Sequence, residues 1–357
     1  MTEKDIFVFD KPPKKSKEFE PLVFAVIGLA HSHIYGMCQG LLKEGAILKY
    51  VYEENAELLR AFKNVFPQVV VCDSENEILN DSSVKLVASA GIPSERAEIG
   101  IRAMKAGKDF YVDKAPVISL SQLEAVKQTV KETQQKYFVY YGESIDNESA
   151  IFAKQLIERG VIGKIFHIDS LAPHRLNPDT RPDWFFKKAN TGGILTDLGS
   201  HQTQQFLSYS GNSNATVDFA RVNNYNFKEY SEFEDFGDFT LKGENGVTGY
   251  FRIDWNSPAG LKTWGDARMI IEGSDGYIEL RKNCNIGFNM ATDYVVVVNN
   301  DGMFAQNVSG KAGISFFDDL IYDCYNRTET AMKTNEAFKA AELAIKAQEL
   351  AEKGCVS

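Results

Sequence analysis

From Pro21 onward the chain alternates short apolar runs with longer amphipathic stretches. Residues 22–28 form one continuous apolar run, as expected of a strand buried on both faces. Further strands are predicted at 47–52, 69–71, 84–89, 110–112 and 137–141, with helices at 32–43, 56–65, 94–106 and 119–135 between them. Strand and helix alternating at this spacing predict parallel β-α-β units. After about residue 145 the pattern changes. A helix at 149–158 leads into a strand at 164–168, a long loop at 173–193 and a helix at 196–209. Six further strands follow, at 217–223, 236–241, 247–254, 267–272, 277–280 and 294–298. Turn sequences such as Glu244-Asn245-Gly246 and Ser274-Asp275-Gly276 read as hairpin connections, so the second sheet is expected to be mostly antiparallel. Two helices, 314–325 and 335–352, end the chain.

The expected organisation is therefore an N-terminal arm (1–20), a parallel α/β domain (21–145), and an α+β domain with a large open sheet (146–357), whose last helix packs back on the first domain. The chain has 357 residues, 44% apolar and 25% charged, which excludes a disordered protein. A formal net charge of −10 argues against nucleic-acid and membrane-surface partners, since both are anionic. The five cysteines, Cys38, Cys72, Cys284, Cys324 and Cys355, are scattered and offer no zinc-type spacing. Reduced thiols in the cytoplasm and no metal site are expected. The first 20 residues lack the apolar stretch of a signal peptide, and no run reaches the roughly 18 apolar residues of a membrane span.

The first strand ends in Gly28-Leu29-Ala30-His31-Ser32-His33, where a dinucleotide-binding unit places G-x-G-x-x-G. Gly28 permits the tight turn, and the helix start that follows offers N–H groups to a pyrophosphate. Ala30 and His33 stand where the other glycines would be, so alone the motif is weak. Glu53 closes the second strand, 20 residues beyond His33. A carboxylate there can accept both ribose hydroxyls of NAD and would repel the 2′-phosphate of NADP, although a solvated acid is the simpler reading. A Rossmann domain with NAD as cofactor is the expectation.

Three further stretches carry a family resemblance: Val112-Asp113-Lys114-Ala115-Pro116, the Ile157-Glu158-Arg159-Gly160 segment through Lys164, and Gly192-Gly193 through Asp197 to His201. Together with the nucleotide turn they resemble the glucose–fructose oxidoreductase / inositol dehydrogenase / MocA family. The resemblance implies a Rossmann domain plus an open-sheet domain, a nicotinamide cofactor in the cleft, and a homodimer or homotetramer formed through the C-terminal sheet. Lys114 inherits the role of the family's E-K-P lysine, with proline displaced by one residue. Gly91 and Pro93 stand in the family's T-P-N region, Arg96 where a histidine is usual, and Glu143 and Ser144 where an arginine is common.

The implied site is Lys114, Asp197 and His201 for catalysis, with Gly28, Leu29, Ala30, His31, Ser32, His33, Glu53, Gly91, Pro93, Asp113 and Lys114 against the cofactor. Asp197 and His201, spaced i and i+4, share a helix face. An imidazole of ordinary pKa near 6.5 suits a general base, and Lys114 can donate to a developing alkoxide. Asp197 can hold the substrate oxygen or orient the imidazole. Each residue alone is more often a solvated or packed side chain, and only their joint occurrence argues for a site. His174, Arg175 and Trp184 of the long loop suit a sugar or polyol, with an aromatic ring for its C–H face. Trp255 and Trp264 read as sheet-packing or interface residues. The expected activity is hydride transfer between NAD and a secondary alcohol of a sugar, sugar derivative or cyclic polyol. The alternatives are an NAD-retaining glycosidase of the same fold and a non-enzymatic nucleotide or sugar sensor.

Overall fold

The computed structural model describes residues 2–9, 13–288 and 292–354; Cys355 and positions 1 and 10–12 of the arm lie outside the described residues. The first sheet comprises β1 (Val23–Ile27), β2 (Ile47–Tyr52), β3 (Val70–Val71), β4 (Leu86–Ser89), β5 (Asp109–Asp113) and β6 (Tyr137–Tyr140), ordered 3-2-1-4-5-6. Every pairing in it is parallel. Each residue of β4, β5 and β6 is buried, which explains their near-continuous apolar sequences. The strand order reverses between β1 and β4, so the carboxyl ends of the strands open a crevice there. This is the Rossmann arrangement. One helix, Glu75–Asn80, escaped the periodicity analysis because it is short, yet Ser74 and Glu77 form a capping box at its start.

The second sheet has eight strands: β7 (Ile165–Pro173), β8 (Ala215–Asn223), β9 (Phe236–Gly243), β10 (Thr248–Asp254), β11 (Ala267–Gly273), β12 (Gly276–Lys282), β13 (Tyr294–Asn299) and β14 (Gly302–Asn307). Their order is 14-13-12-11-7-10-9-8, antiparallel except where β7 meets β10. β14 was not predicted, and β7 runs five residues beyond its expected end. Helices Glu148–Glu158 and Gly199–Ser210 cover one face of this sheet. The other face carries Ile270, Tyr277 and Met303, the last 83% exposed.

The described parts of the arm pack on the rest of the molecule. Ile6 is fully buried, and the Phe7 ring stacks on Phe152 at 5.6 Å. Ser16 donates its backbone N–H to Asp318 at 3.0 Å. The last helix, Thr334–Gly354, packs on both halves: Phe338 lies 5.3 Å from the Tyr137 ring of β6, and Thr203 of the second half donates to the Ala340 carbonyl at 2.8 Å. No described helix is long and apolar enough to cross a membrane.

Candidate functional site

At the crevice, Gly28 has φ +86°, and a Cβ added there would lie 2.9 Å from the Gly91 Cα. The turn after β1 and the loop after β4 are thus pressed together, which only glycine permits in this conformation. Leu29 donates its N–H to Glu53 Oε2 at 2.7 Å, and Asn55 donates to Oε1 at 2.9 Å. Glu53 stays half-buried at the carboxyl end of β2, directly beside the turn. Ala30 and Ser32 keep exposure at the start of helix His33–Lys43, and Pro93 opens helix Pro93–Lys105 across the crevice. Within the turn the N–H groups of Gly28, Leu29 and His31 are already taken by the Tyr52 carbonyl (3.1 Å), Glu53 (2.7 Å) and the Ala90 carbonyl (2.8 Å).

Asp113 was expected to face the cofactor, but its carboxylate is enclosed. His33 Nδ1 lies 2.8 Å from Oδ1, and His31 Nδ1 (3.2 Å) and Arg96 Nη2 (3.0 Å) lie against Oδ2. Burial would raise its pKa, yet the charges of His33, Arg96 and His31 hold it well below the usual carboxylate range. These atoms could bracket a cation, but Arg96 already compensates the carboxylate. Arg96 is 1% exposed. It also donates to the carbonyls of Gly91 (2.8 Å), Asp113 (3.2 Å) and Ala115 (3.0 Å), and to that of Lys114. It therefore ties the loop carrying Lys114 to the loop carrying Gly91.

The Gly192-Gly193 pair starts the other wall. Gly193 has φ +86°, and a Cβ there would meet Gln348 at 2.3 Å. The last helix can therefore approach, and Gln348 Oε1 accepts the Leu195 N–H at 3.0 Å while Glu234 accepts that of Ile194 at 3.0 Å. The predicted single helix is two, Ile194–Asp197 and Gly199–Ser210, but Leu198 between them keeps helical angles (φ −74°, ψ −40°). Asp197 and His201 accordingly remain one turn apart.

Lys114 Nζ donates to Asp197 Oδ1 at 2.5 Å. Burial pushes the Asp197 pKa up, but Lys114, helped by His31 and Arg96, holds the carboxyl below its ordinary value. His201 is 3% exposed, and its Nδ1 has no hydrogen-bond partner. Burial pushes its pKa down to about 3, against the opposing charge of Glu143. The expected titration near neutrality is thus replaced by a ring that stays neutral. His174 pairs Nδ1 with the Ala172 carbonyl at 3.0 Å, and burial pushes its pKa down to about 4.

The other two loop residues differ from expectation. Arg175 donates through Nη2 to the carbonyls of Pro258 (3.2 Å), Thr263 (2.9 Å) and Leu261, so it braces the loop after β10. Trp184 packs on Phe185, with ring centroids 5.9 Å apart. The rings flanking His174 are instead Trp255 at 5.4 Å and Trp264 at 4.5 Å. Glu143 was noted in the sequence only as a departure from the family pattern, and Lys282 gave no signal. Glu143 Oε1 lies 3.6 Å from His174 Nε2, and Lys282 Nζ lies 3.2 Å from Oε2.

Comparisons with known proteins agree with this architecture. The sequence profile of the GFO/IDH/MocA C-terminal domain matches residues 151–279. The NADP(+)-dependent scyllo-inositol 2-dehydrogenase IolW of Bacillus subtilis is 27% identical over 214 residues, 60% of this chain and 57% of that protein. The NAD(+)-dependent scyllo-inositol 2-dehydrogenase of the same organism is 27% identical over 203 residues, 57% of this chain and 56% of that protein. The chain thus spans a little over half the length of these curated relatives. A crystal structure from Erwinia carotovora atroseptica SCRI1043, provisionally described as an oxidoreductase, is 45% identical, with a TM-score of 0.90, and the match covers 92% of this chain and 98% of that one.

Proposed function

Because the chain belongs to the GFO/IDH/MocA family, we propose that it is an NAD-dependent oxidoreductase acting on a secondary alcohol of a sugar, sugar derivative or cyclic polyol. The observation that carries this reading is the 2.5 Å contact between Lys114, at the carboxyl end of β5, and Asp197, one turn before a neutral His201. A bound nicotinamide supplies the hydride acceptor or donor. Its dinucleotide is held by the turn Gly28 to His33, by Gly91 and Pro93, and by Glu53 at the ribose.

The chain's own groups manage the proton. Lys114, fixed by Asp197, donates to the substrate oxygen and stabilises the negative charge that develops as its proton leaves. His201 accepts that proton at a ring nitrogen, and a neutral imidazole is the form a general base requires. His174, with Nδ1–H directed at the Ala172 carbonyl, offers Nε2 as an acceptor for a second hydroxyl. Trp255 and Trp264 provide apolar ring surface for C–H groups.

Relatives use both NAD(+) and NADP(+), so this chain's own Glu53 decides the preference, and it favours NAD. The free cysteines fit a cytoplasmic enzyme. The open face of the eight-stranded sheet is read as a homodimer or homotetramer interface. Calorimetric titration with NAD and NADP, followed by absorbance at 340 nm with NAD and a panel of inositols and aldoses, tests the proposal. Nucleotide or sugar binding without turnover on any member of the panel would point to the sensor reading. Bound NAD with aryl-glycoside cleavage and no net NADH would point to the glycosidase.

A further inference from the structure

We infer that Arg181 binds a carboxylate of the substrate, so that the preferred substrate is a sugar acid, an aldonate or uronate, rather than a neutral sugar or polyol. This deepens the reading of the chain as an NAD-dependent oxidoreductase and rests on it. Arg181 belongs to the long loop after β7. Pro178–Thr180 forms one short helical turn there, and Arg181 donates its backbone N–H to the Pro178 carbonyl at 3.0 Å. Pro182 follows, and a residue before proline is biased toward extended angles. Arg181 accordingly has φ −94° and ψ 138°. A second short turn, Asp183–Phe186, then brings Phe185 against the Arg181 side chain.

The guanidinium is held in place without being used up. Its Nε donates to the Leu176 carbonyl at 3.0 Å. Its central carbon lies 4.6 Å from the Phe185 ring centroid and 5.3 Å from that of Trp255, and both rings are buried. Contact with two aromatic rings orders a guanidinium. Among the described residues, Nη1 and Nη2 have no hydrogen-bond acceptor, and no carboxylate comes within 4.0 Å of them. The same rings place Arg181 at the site. Phe185 and Trp255 line one narrow cavity with Gly193 and Asp197, and the Trp255 ring lies 5.4 Å from that of His174.

Charge balance points to the ligand. The buried cations of the site are matched: Lys114 by Asp197, Arg96 by Asp113 and Lys282 by Glu143. On the loop itself, Lys187 meets Glu232 at 3.1 Å and Lys188 meets Glu234 at 2.6 Å. The Nη pair of Arg181 has no such partner, although the residue is half-buried. Burial lowers its pKa and the charge of Asp197 opposes this, yet a guanidinium stays protonated. A substrate carboxylate can accept both Nη donors as a fork. One unmatched cation balances a monoanion, which favours a carboxylate over a phosphate dianion. The carboxylate is a handle only. The carbinol carbon gives its hydride to NAD, and the hydroxyl proton goes to His201.

Calorimetric titration of the intact protein tests this, alone and with NADH in place of NAD so that the alcohol is not oxidised. The probes are D-glucuronate, D-galacturonate and D-gluconate, each against its neutral counterpart, D-glucose, D-galactose and D-glucitol, with D-glucose 6-phosphate as the dianion. At least one acid is expected to bind about 10- to 100-fold more tightly than its counterpart, the range of a charged hydrogen-bonded pair. Arg181→Gln is expected to bring that ratio within about threefold of unity. Arg181→Lys keeps the charge without the fork and should leave an intermediate ratio. The ratio of kcat/KM values, read at 340 nm with NAD, is expected to follow the same order. A wild type that binds no acid more tightly than its counterpart overturns the inference, whether or not the variants fold. So does a ratio unchanged in Arg181→Gln, and so does glucose 6-phosphate binding more tightly than every acid. Arg181-dependent binding of an acid without NADH formation from any probe supports the carboxylate site and instead defeats the oxidoreductase reading.

Discussion

The Lys114 ammonium and the Asp197 carboxylate meet at 2.5 Å across the cleft, one from the Rossmann sheet and the other from the helix that follows Gly193. Lys114 is 4% exposed, so removing either partner strands a charge in a site with little water. Lys114→Ala is expected to lower kcat by about 10²–10⁴, the range for lost proton-transfer groups, and to lower the urea midpoint as well. Asp197→Asn, which keeps the shape, is expected to lower kcat with a smaller effect on stability. The double variant should lose far less than the product of the single losses, because the pair acts as one unit. Steady-state kinetics of the four proteins measure this.

Acid should destabilise the fold well above the carboxylate range. Burial pushes His31 and His174 down to about 4 and His201 to about 3. In the unfolded chain each titrates near 6.5, so below that pH the unfolded state binds protons that the native state refuses. Stability then falls as pH drops from about 6.5 toward 4, by up to about 1.4 kcal/mol per pH unit for each such histidine. Asp113, Asp197 and Glu143, held below their ordinary values, add losses only below about pH 4. Urea unfolding at pH 7.5, 6.0 and 5.0 reads the slope, and His201→Phe should make it shallower. For the same reason, kcat/KM should show no acid limb near pH 6.5 while the protein stays folded.

The parallel sheet, the antiparallel sheet and most helices were legible because burial writes its period into the sequence. Strand β2 and the helix Ala56–Val65 match their predicted bounds, and β1 lies one residue inside each end of its predicted run. Helix Glu75–Asn80 and strand β14 were missed because six residues of mixed polarity carry too little periodicity. The motif residues Lys114, Asp197 and His201 could be singled out from sequence, but the buried pair of Glu143 and Lys282 could not. Glu143 and Lys282 are 139 positions apart, and neither residue type is distinctive at its place. Arg175 and Trp184 suited a sugar by residue type, yet the backbone of the loop after β10 claims Arg175, and the loop's path turns Trp184 toward Phe185. Composition does not encode those directions.

Cofactor preference should depend on the charge of Glu53 rather than on its hydrogen bonds. The carboxylate accepts N–H groups from Leu29 and Asn55, and a glutamine can still accept through its oxygen. Calorimetry is expected to show NAD binding more tightly than NADP in the wild type, and the ratio narrowing in Glu53→Gln. Equal or tighter NADP binding by the wild type would contradict this.

The open face of the second sheet should close an oligomer. Met303 pairs with Val298, Val298 with Tyr277, and Tyr277 with Glu272, giving a cross-strand row with apolar side chains at its β14 end. Light scattering at micromolar concentration is expected to give a dimer or tetramer, shifted toward monomer by Met303→Asp combined with Ile270→Arg. A wild-type monomer would refute the assignment.

Turnover of NAD by the wild type and by Lys114→Ala, read at 340 nm on the inositol and aldose panel, tests the central claim most directly. The expected result is NADH formation with at least one member of the panel, falling by about 10²–10⁴ in Lys114→Ala while NAD still binds that variant. A Lys114→Ala protein that reduces NAD as fast as the wild type would contradict the account.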